Sequence, residues 1–119
     1  MKVEDFSMKY FVTFTITILA LFLLSGNALA GGGDVQAGKA VYDTKCKVCH
    51  GADGKGNPAI AKTMKVTLPD MTAQGIQSKS DDVLKKQITE GSGKMKPVKG
   101  LTDQQITDVI AFVRSLAKS

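Results

Sequence analysis

The 119-residue chain has no tryptophan, one histidine, two cysteines and three prolines. Each scarcity removes a class of chemistry. A structural zinc site takes four Cys or His ligands, and this chain has three in all, so zinc fails on ligand count. Peroxide or nitrite chemistry needs a positioned acid or base, yet His50 is the lone histidine and Arg114 the lone arginine. Beyond residue 30 the aromatics are Tyr42 and Phe112 alone, so there is no basic and aromatic stripe for single-stranded nucleic acid. The longest apolar run, Phe11 to Leu24, falls short of the roughly 20 residues a membrane helix needs. No stretch reads as a strand pair, and there is no internal repeat.

What is present begins with an address. Lys2 and Lys9, the apolar run, and the small residues Ala28 and Ala30 around Leu29 have the order of an export signal cleaved near Ala30. Residues 1–30 are therefore expected to be a signal peptide, with an uncleaved anchor as the alternative, and residues 31–119 one small domain in the periplasm or an equivalent exported compartment. The leader carries two bases and two acids, so the domain keeps the whole formal charge of +5. Nucleic acid is not expected outside the cytoplasm; acidic protein surfaces are the better match.

So small a domain has difficulty building a sufficient core and needs a staple. Cys46-Lys47-Val48-Cys49-His50 supplies one. C-x-x-C-H is the signature of covalent c-type haem attachment, and here it uses both cysteines and the only histidine. Two thiols three positions apart lie about one helical turn from each other and can bond the two vinyl groups of one haem edge. His50 can then bind the iron from the same side. A redox dithiol is the rival, but it belongs in a βαβ setting, which the upstream sequence lacks.

Helical signals surround the motif. Asp34 is placed to cap a helix from Val35 to about Cys46, with Gly38, Val41, Tyr42 and Lys45 along one stripe and Gly38 suggesting a close crossing. Gly51 to Pro58 reads as a loop, Ala59 to Met64 as a helical turn, and Leu68 to Met71 as a bend. Ser80 opens a middle helix, with Val83, Leu84, Gln87 and Ile88 inward and Gly91 as its stop. Thr102 and Gln105 form a capping box with Leu101 and Ile106 as its hydrophobic staple. Ile106, Val109, Ile110, Val113, Leu116 and Ala117 then make a core-facing stripe.

The opposite face of the iron needs a second ligand, and Met64, Met71 and Met95 are the candidates. A methionine is more often core filler. Met95 departs from that use, because it sits in the polar loop Gly91-Ser92-Gly93-Lys94-Met95-Lys96-Pro97 between two helices.

Across residues 31–119 the sequence resembles a small bacterial class I c-type cytochrome. Cys46 to Gly56 matches the family's attachment motif and following glycine-rich loop; Met95 through Gln105 to Leu116 resembles its axial methionine loop and C-terminal helix. The resemblance implies an all-α cytochrome c fold, three to five short helices around one covalently bound haem c. It implies that Gly38 and Tyr42 meet Val109 and Phe112 where the terminal helices cross. It implies His50 as proximal ligand, Met95 as distal ligand, and the Pro58 carbonyl accepting from the His50 Nδ1–H. The sequence departs from many relatives in that Lys96 separates Met95 from Pro97, which can shift the loop by one residue.

The function expected is that of a soluble, monomeric one-electron carrier, not an enzyme, meeting the membrane only through partners or an uncleaved N-terminus. Lys47, Lys55, Lys94 and Lys96 are the candidates for a basic haem edge that steers acidic redox partners. The alternatives are a small haem subunit of a larger redox enzyme and a haem gas sensor with a labile distal methionine.

Overall fold

The computed structural model describes Tyr10 and residues 32–117. The chain divides into two units, 1–31 and 32–119. The expected signal segment, Tyr10 apart, lies outside the described residues. Among the described residues, no helix is long and apolar enough to cross a membrane.

The second unit is helical: α1 Val35–Lys45, α2 Lys47–His50, α3 Pro58–Met64, α4 Gln74–Gln77, α5 Asp81–Glu90 and α6 Asp103–Ser115. Four of these exceed one turn, within the expected number; α4 was not foreseen. Among the described residues the only β-type pairing is the isolated bridge of Ser92 with Met95.

The caps fall where the side-chain chemistry puts them. The Asp34 carboxylate accepts from the Gln36 and Ala37 amides, opening α1, and the Ser80 hydroxyl accepts from Val83, opening α5. Thr102 and Gln105 exchange both bonds of a capping box at α6. Arg114, late in α6, donates to the Gln77 carbonyl (2.8 Å) and the Lys79 carbonyl while pairing with Asp81 (2.7 Å). It thereby satisfies carbonyls at the end of α4 that the helix itself leaves without partners.

Helices α1 and α6 form the main helix–helix contact. Gly38 makes the close approach possible, since a methyl there would overlap the Asp108 carbonyl and stand 3.0 Å from the Phe112 Cβ. Tyr42 and Phe112 stack at 4.9 Å between centroids with a 53° tilt, in a cluster completed by Val41, Val109 and Val113. A second cluster joins Leu84 of α5 to Ile106 and Ile110, with Leu101 packed against it as the staple predicts. Three positions depart from the expected stripes. Lys45 is exposed at the end of α1, Val83 is exposed because α5 turns only Leu84 fully inward, and Ala117 lies past the end of α6.

Asp108 was missed by sequence reasoning. It is buried on α6 four residues before Phe112, where its carboxylate accepts from the Asp34 amide (2.8 Å) and the Gln104 side chain (2.8 Å). An acid on the core flank of an otherwise apolar stripe was the signal available.

Candidate functional site

Cys46, Cys49 and His50 are brought together by a break between helices. Cys46 ends α1, and α2 is a single turn carrying Cys49 and His50. Both thiols are free and half-buried, whereas Val48 between them is 66% exposed. The loop after His50 folds back onto this turn. Gly56 N–H donates to the His50 carbonyl (2.7 Å), Asn57 N–H to the Cys49 carbonyl (2.9 Å), and the Asn57 side chain to the Val48 carbonyl (3.0 Å). At Gly51 the backbone has φ of +77°, a left-handed value that favours glycine.

Electrostatics separates the candidate chemistries. Burial first, and the neighbouring Cys49 second, push the Cys46 thiol up to about 11. Redox-active cysteines show the opposite shift, toward the thiolate, so the setting disfavours a thioredoxin-like pair. Burial holds the His50 imidazole below its ordinary range, leaving it neutral at neutral pH and able to bind a metal through a ring nitrogen. Its Nδ1 is buried and has no hydrogen-bond partner.

Pro58, whose carbonyl the resemblance pairs with the His50 Nδ1–H, is the first residue of α3, opened by the Asn57 cap.

The three methionines lie in different settings. Met71 packs against the Val41–Val113 cluster; its N–H donates to the Gly54 carbonyl (2.8 Å) and its carbonyl accepts from the Gln77 side chain (2.6 Å). Met64 is 38% exposed at the end of α3. Met95 is half-buried in the α5–α6 loop, exchanging backbone bonds of 2.9 Å with Ser92 in both directions. Lys47, Lys55, Lys94 and Lys96 are all exposed, and the Lys94 ammonium donates to the Met64 carbonyl (3.3 Å).

These residues fit a haem. Two thiols on one short turn suit thioether attachment, a neutral buried imidazole follows them directly, and partly buried Met71, Ile76, Ile88, Leu101 and Leu116 line the clusters as apolar surface. Among the described residues no group of three or more His, Cys, Asp and Glu is placed to hold a bare metal ion.

Comparison with known proteins agrees. Residues 35–117 match the family model described as cytochrome c. The chain is similar to cytochrome c-555 of Chlorobaculum tepidum, with 34% identity over 115 residues, covering 93% of this chain and 100% of the relative. It is similar to cytochrome c6 of Rippkaea orientalis, with 32% identity over 114 residues, covering 94% and 97%. Among solved structures it is similar to the KustC0563 c-type cytochrome, with 28% identity, a TM-score of 0.58, and coverage of 68% of this chain and 98% of that one. With the match running from the first residue of α1 past the last of α6, the chain belongs to the cytochrome c family, as a small class I electron carrier, not an enzyme, with covalently bound haem c.

Proposed function

We propose that the protein carries single electrons between exported or membrane-bound redox partners, on a haem joined through Cys46 and Cys49, with His50 as proximal and Met95 as distal iron ligand. The observation that carries this reading is the buried, neutral His50 imidazole at the end of the single turn that also bears Cys49. The haem supplies one-electron cycling of iron, and a thioether ligand opposite imidazole favours the ferrous form. The chain's own part is to fix both ligands and surround the haem with apolar side chains.

Met95 is favoured over its rivals by what holds them. The Met71 main chain is tied on both sides and its side chain packs in a core cluster, whereas Met64 is solvent-facing at a helix end. Met95 sits half-buried in a polar loop with no core stripe to serve. The export reading, with cleavage near Ala30 and a mature domain of residues 31–119, gains support from chemistry: thioether attachment leaves no free thiol in a compartment that oxidises them. Exposed Lys47, Lys55, Lys94 and Lys96 suit steering of an acidic partner by a monomeric carrier.

The test compares Met95→Ala with Met71→Ala in the holoprotein. Met95→Ala is expected to abolish the weak sulfur-to-ferric band in the near-infrared and lower the potential, with Met71→Ala retaining the band. The reverse result would assign the distal position to Met71.

A further inference from the structure

Two glycines shape the loop between α5 and α6 in different ways. Gly93 lies at the tip of a two-residue turn: Ser92 N–H donates to the Met95 carbonyl and Met95 N–H to the Ser92 carbonyl, each at 2.9 Å, with Gly93 and Lys94 between them. Its φ of +57° suits the left-handed first position of such a turn, and open space surrounds it. Gly91 stands at the root. It ends α5 with φ of +83° and ψ of 172°, a conformation open essentially to glycine alone, while its N–H donates to the Gln87 carbonyl (3.0 Å).

The chain returns across that root. A methyl on Gly91 would stand 2.5 Å from the Met95 carbonyl oxygen, 3.0 Å from the Pro97 Cδ and 3.1 Å from the Pro97 nitrogen. These are backbone and ring atoms, so none can swing aside. Beyond them Val98 N–H donates to the Ile88 carbonyl (2.8 Å), closing the return onto α5. Exposed Lys96 is the residue this return must absorb, since it separates Met95 from Pro97. Both main-chain groups of Met95 are engaged by Ser92, so a shift of its carbonyl carries the residue with it.

We propose that Gly91 is a positioning residue for the distal ligand: the missing side chain at the end of α5 leaves the seat on which the Met95 carbonyl and the Pro97 ring rest. That seat fixes where Met95 stands with Lys96 following it. The inference rests on Met95 as iron ligand. It adds that the loop, although lightly tied to the rest of the domain, takes its own shape from the end of α5.

Cyanide binding to the ferric holoprotein is the test. Cyanide reaches the distal face of the iron only when Met95 has left it, so its apparent affinity rises with the fraction of open loop. Gly91→Ala is expected to tighten binding by about tenfold. Gly100→Ala is the control, because φ is +79° there too, yet a methyl meets nothing within 4 Å and the residue lies past the Val98 anchor. Its binding should stay within about twofold of wild type, although left-handed strain lowers the unfolding midpoint. Pro97→Ala takes the ring off the seat without altering Gly91 and should tighten binding by about threefold. This variant decides the matter if Gly91→Ala does not fold. Equal affinities in Gly91→Ala and Gly100→Ala, or wild-type affinity in Pro97→Ala, would overturn the positioning role and leave Met95 ligation intact. A sulfur-to-ferric band that persists in Met95→Ala would instead remove the ligand reading and the inference with it.

Discussion

The segment from Cys46 to Asn57 and the loop from Gly91 to Pro97 are held in different ways. The first is fastened by main-chain bonds at Cys49, His50, Gly51, Gly56 and Asn57, by the Asn57 side chain, and by the Tyr42 hydroxyl from the helix crossing. The second closes on itself through Ser92 and Met95, stays next to α5 through Val98 N–H and the Ile88 carbonyl, and reaches a distant segment through Lys94 and Met64. Attachment chemistry belongs to the stiff side, and the proposed distal ligand to the lightly tied one. A covalent haem edge needs fixed sulfurs, whereas a thioether ligand needs only to be kept within reach. The contrast gives a ranking of what should fail when each side is altered.

The largest effect is expected at the stiff side's own ligand. His50→Ala should abolish a normal low-spin holoprotein, because the chain has no second histidine to substitute. Visible spectroscopy of the purified variant checks this. Next comes the support beneath it. Gly38→Ala places a methyl against the Asp108 carbonyl, a backbone atom that cannot rotate away, so α1 and α6 must separate. We expect a net loss of about 2 kcal/mol in urea unfolding, overpacking outweighing the gain in helix propensity. Gly93→Ala tests the other side at a glycine with φ of +57° and open space around it. Its cost should be about 1 kcal/mol, from left-handed backbone strain alone. Equal losses at the two glycines would erase the contrast.

The stiff region was also the more legible one in the sequence. Asp34, Ser80, Thr102 and Gln105 act locally, so their caps could be read from neighbouring residues, and the attachment motif is contiguous. What escaped was long-range. Arg114 reaches carbonyls 35 and 37 positions away, and Asp108 accepts the Asp34 amide across 74 positions. Helix α4 was missed for a related reason: it is one turn without a side-chain cap, and its last carbonyls are satisfied by α6.

The next prediction is a pH dependence at the point where the crossing meets the motif. Burial chiefly, with the charges of Cys46, Asp53 and Asp43 adding to it, pushes the Tyr42 hydroxyl from 10.0 up to about 12. Thioether attachment removes the Cys46 contribution and leaves burial as the main cause. Because the folded value lies above the unfolded one, the stabilisation is complete below about pH 10 and is lost as pH rises toward 12. The unfolding free energies of wild type and Tyr42→Phe should therefore differ by about 1 kcal/mol at neutral pH and converge above pH 10. A difference that stays constant across that window would mean the hydroxyl is not buried as a donor to Gly51.

The smallest effect is expected where the lightly tied loop meets the rest of the domain. The Lys94 ammonium is exposed and its bond to the Met64 carbonyl is long at 3.3 Å, so Lys94→Met should cost no more than about 0.5 kcal/mol in global stability. Its consequence is local. Among the described residues this is the only hydrogen bond from residues 91–97 to a segment before α5, and losing it should leave the Ser92–Met95 closure to hold the loop alone. Amide exchange at Met95 should quicken by about twofold, the factor that corresponds to so small a free energy, while Gly51 and Gly56 keep wild-type rates. Lys94→Arg, which retains a donor of similar reach, should restore the Met95 rate. Faster exchange at Gly51 as well as Met95 would show that the two sides are coupled, and that the loop is tied more firmly than its few hydrogen bonds imply.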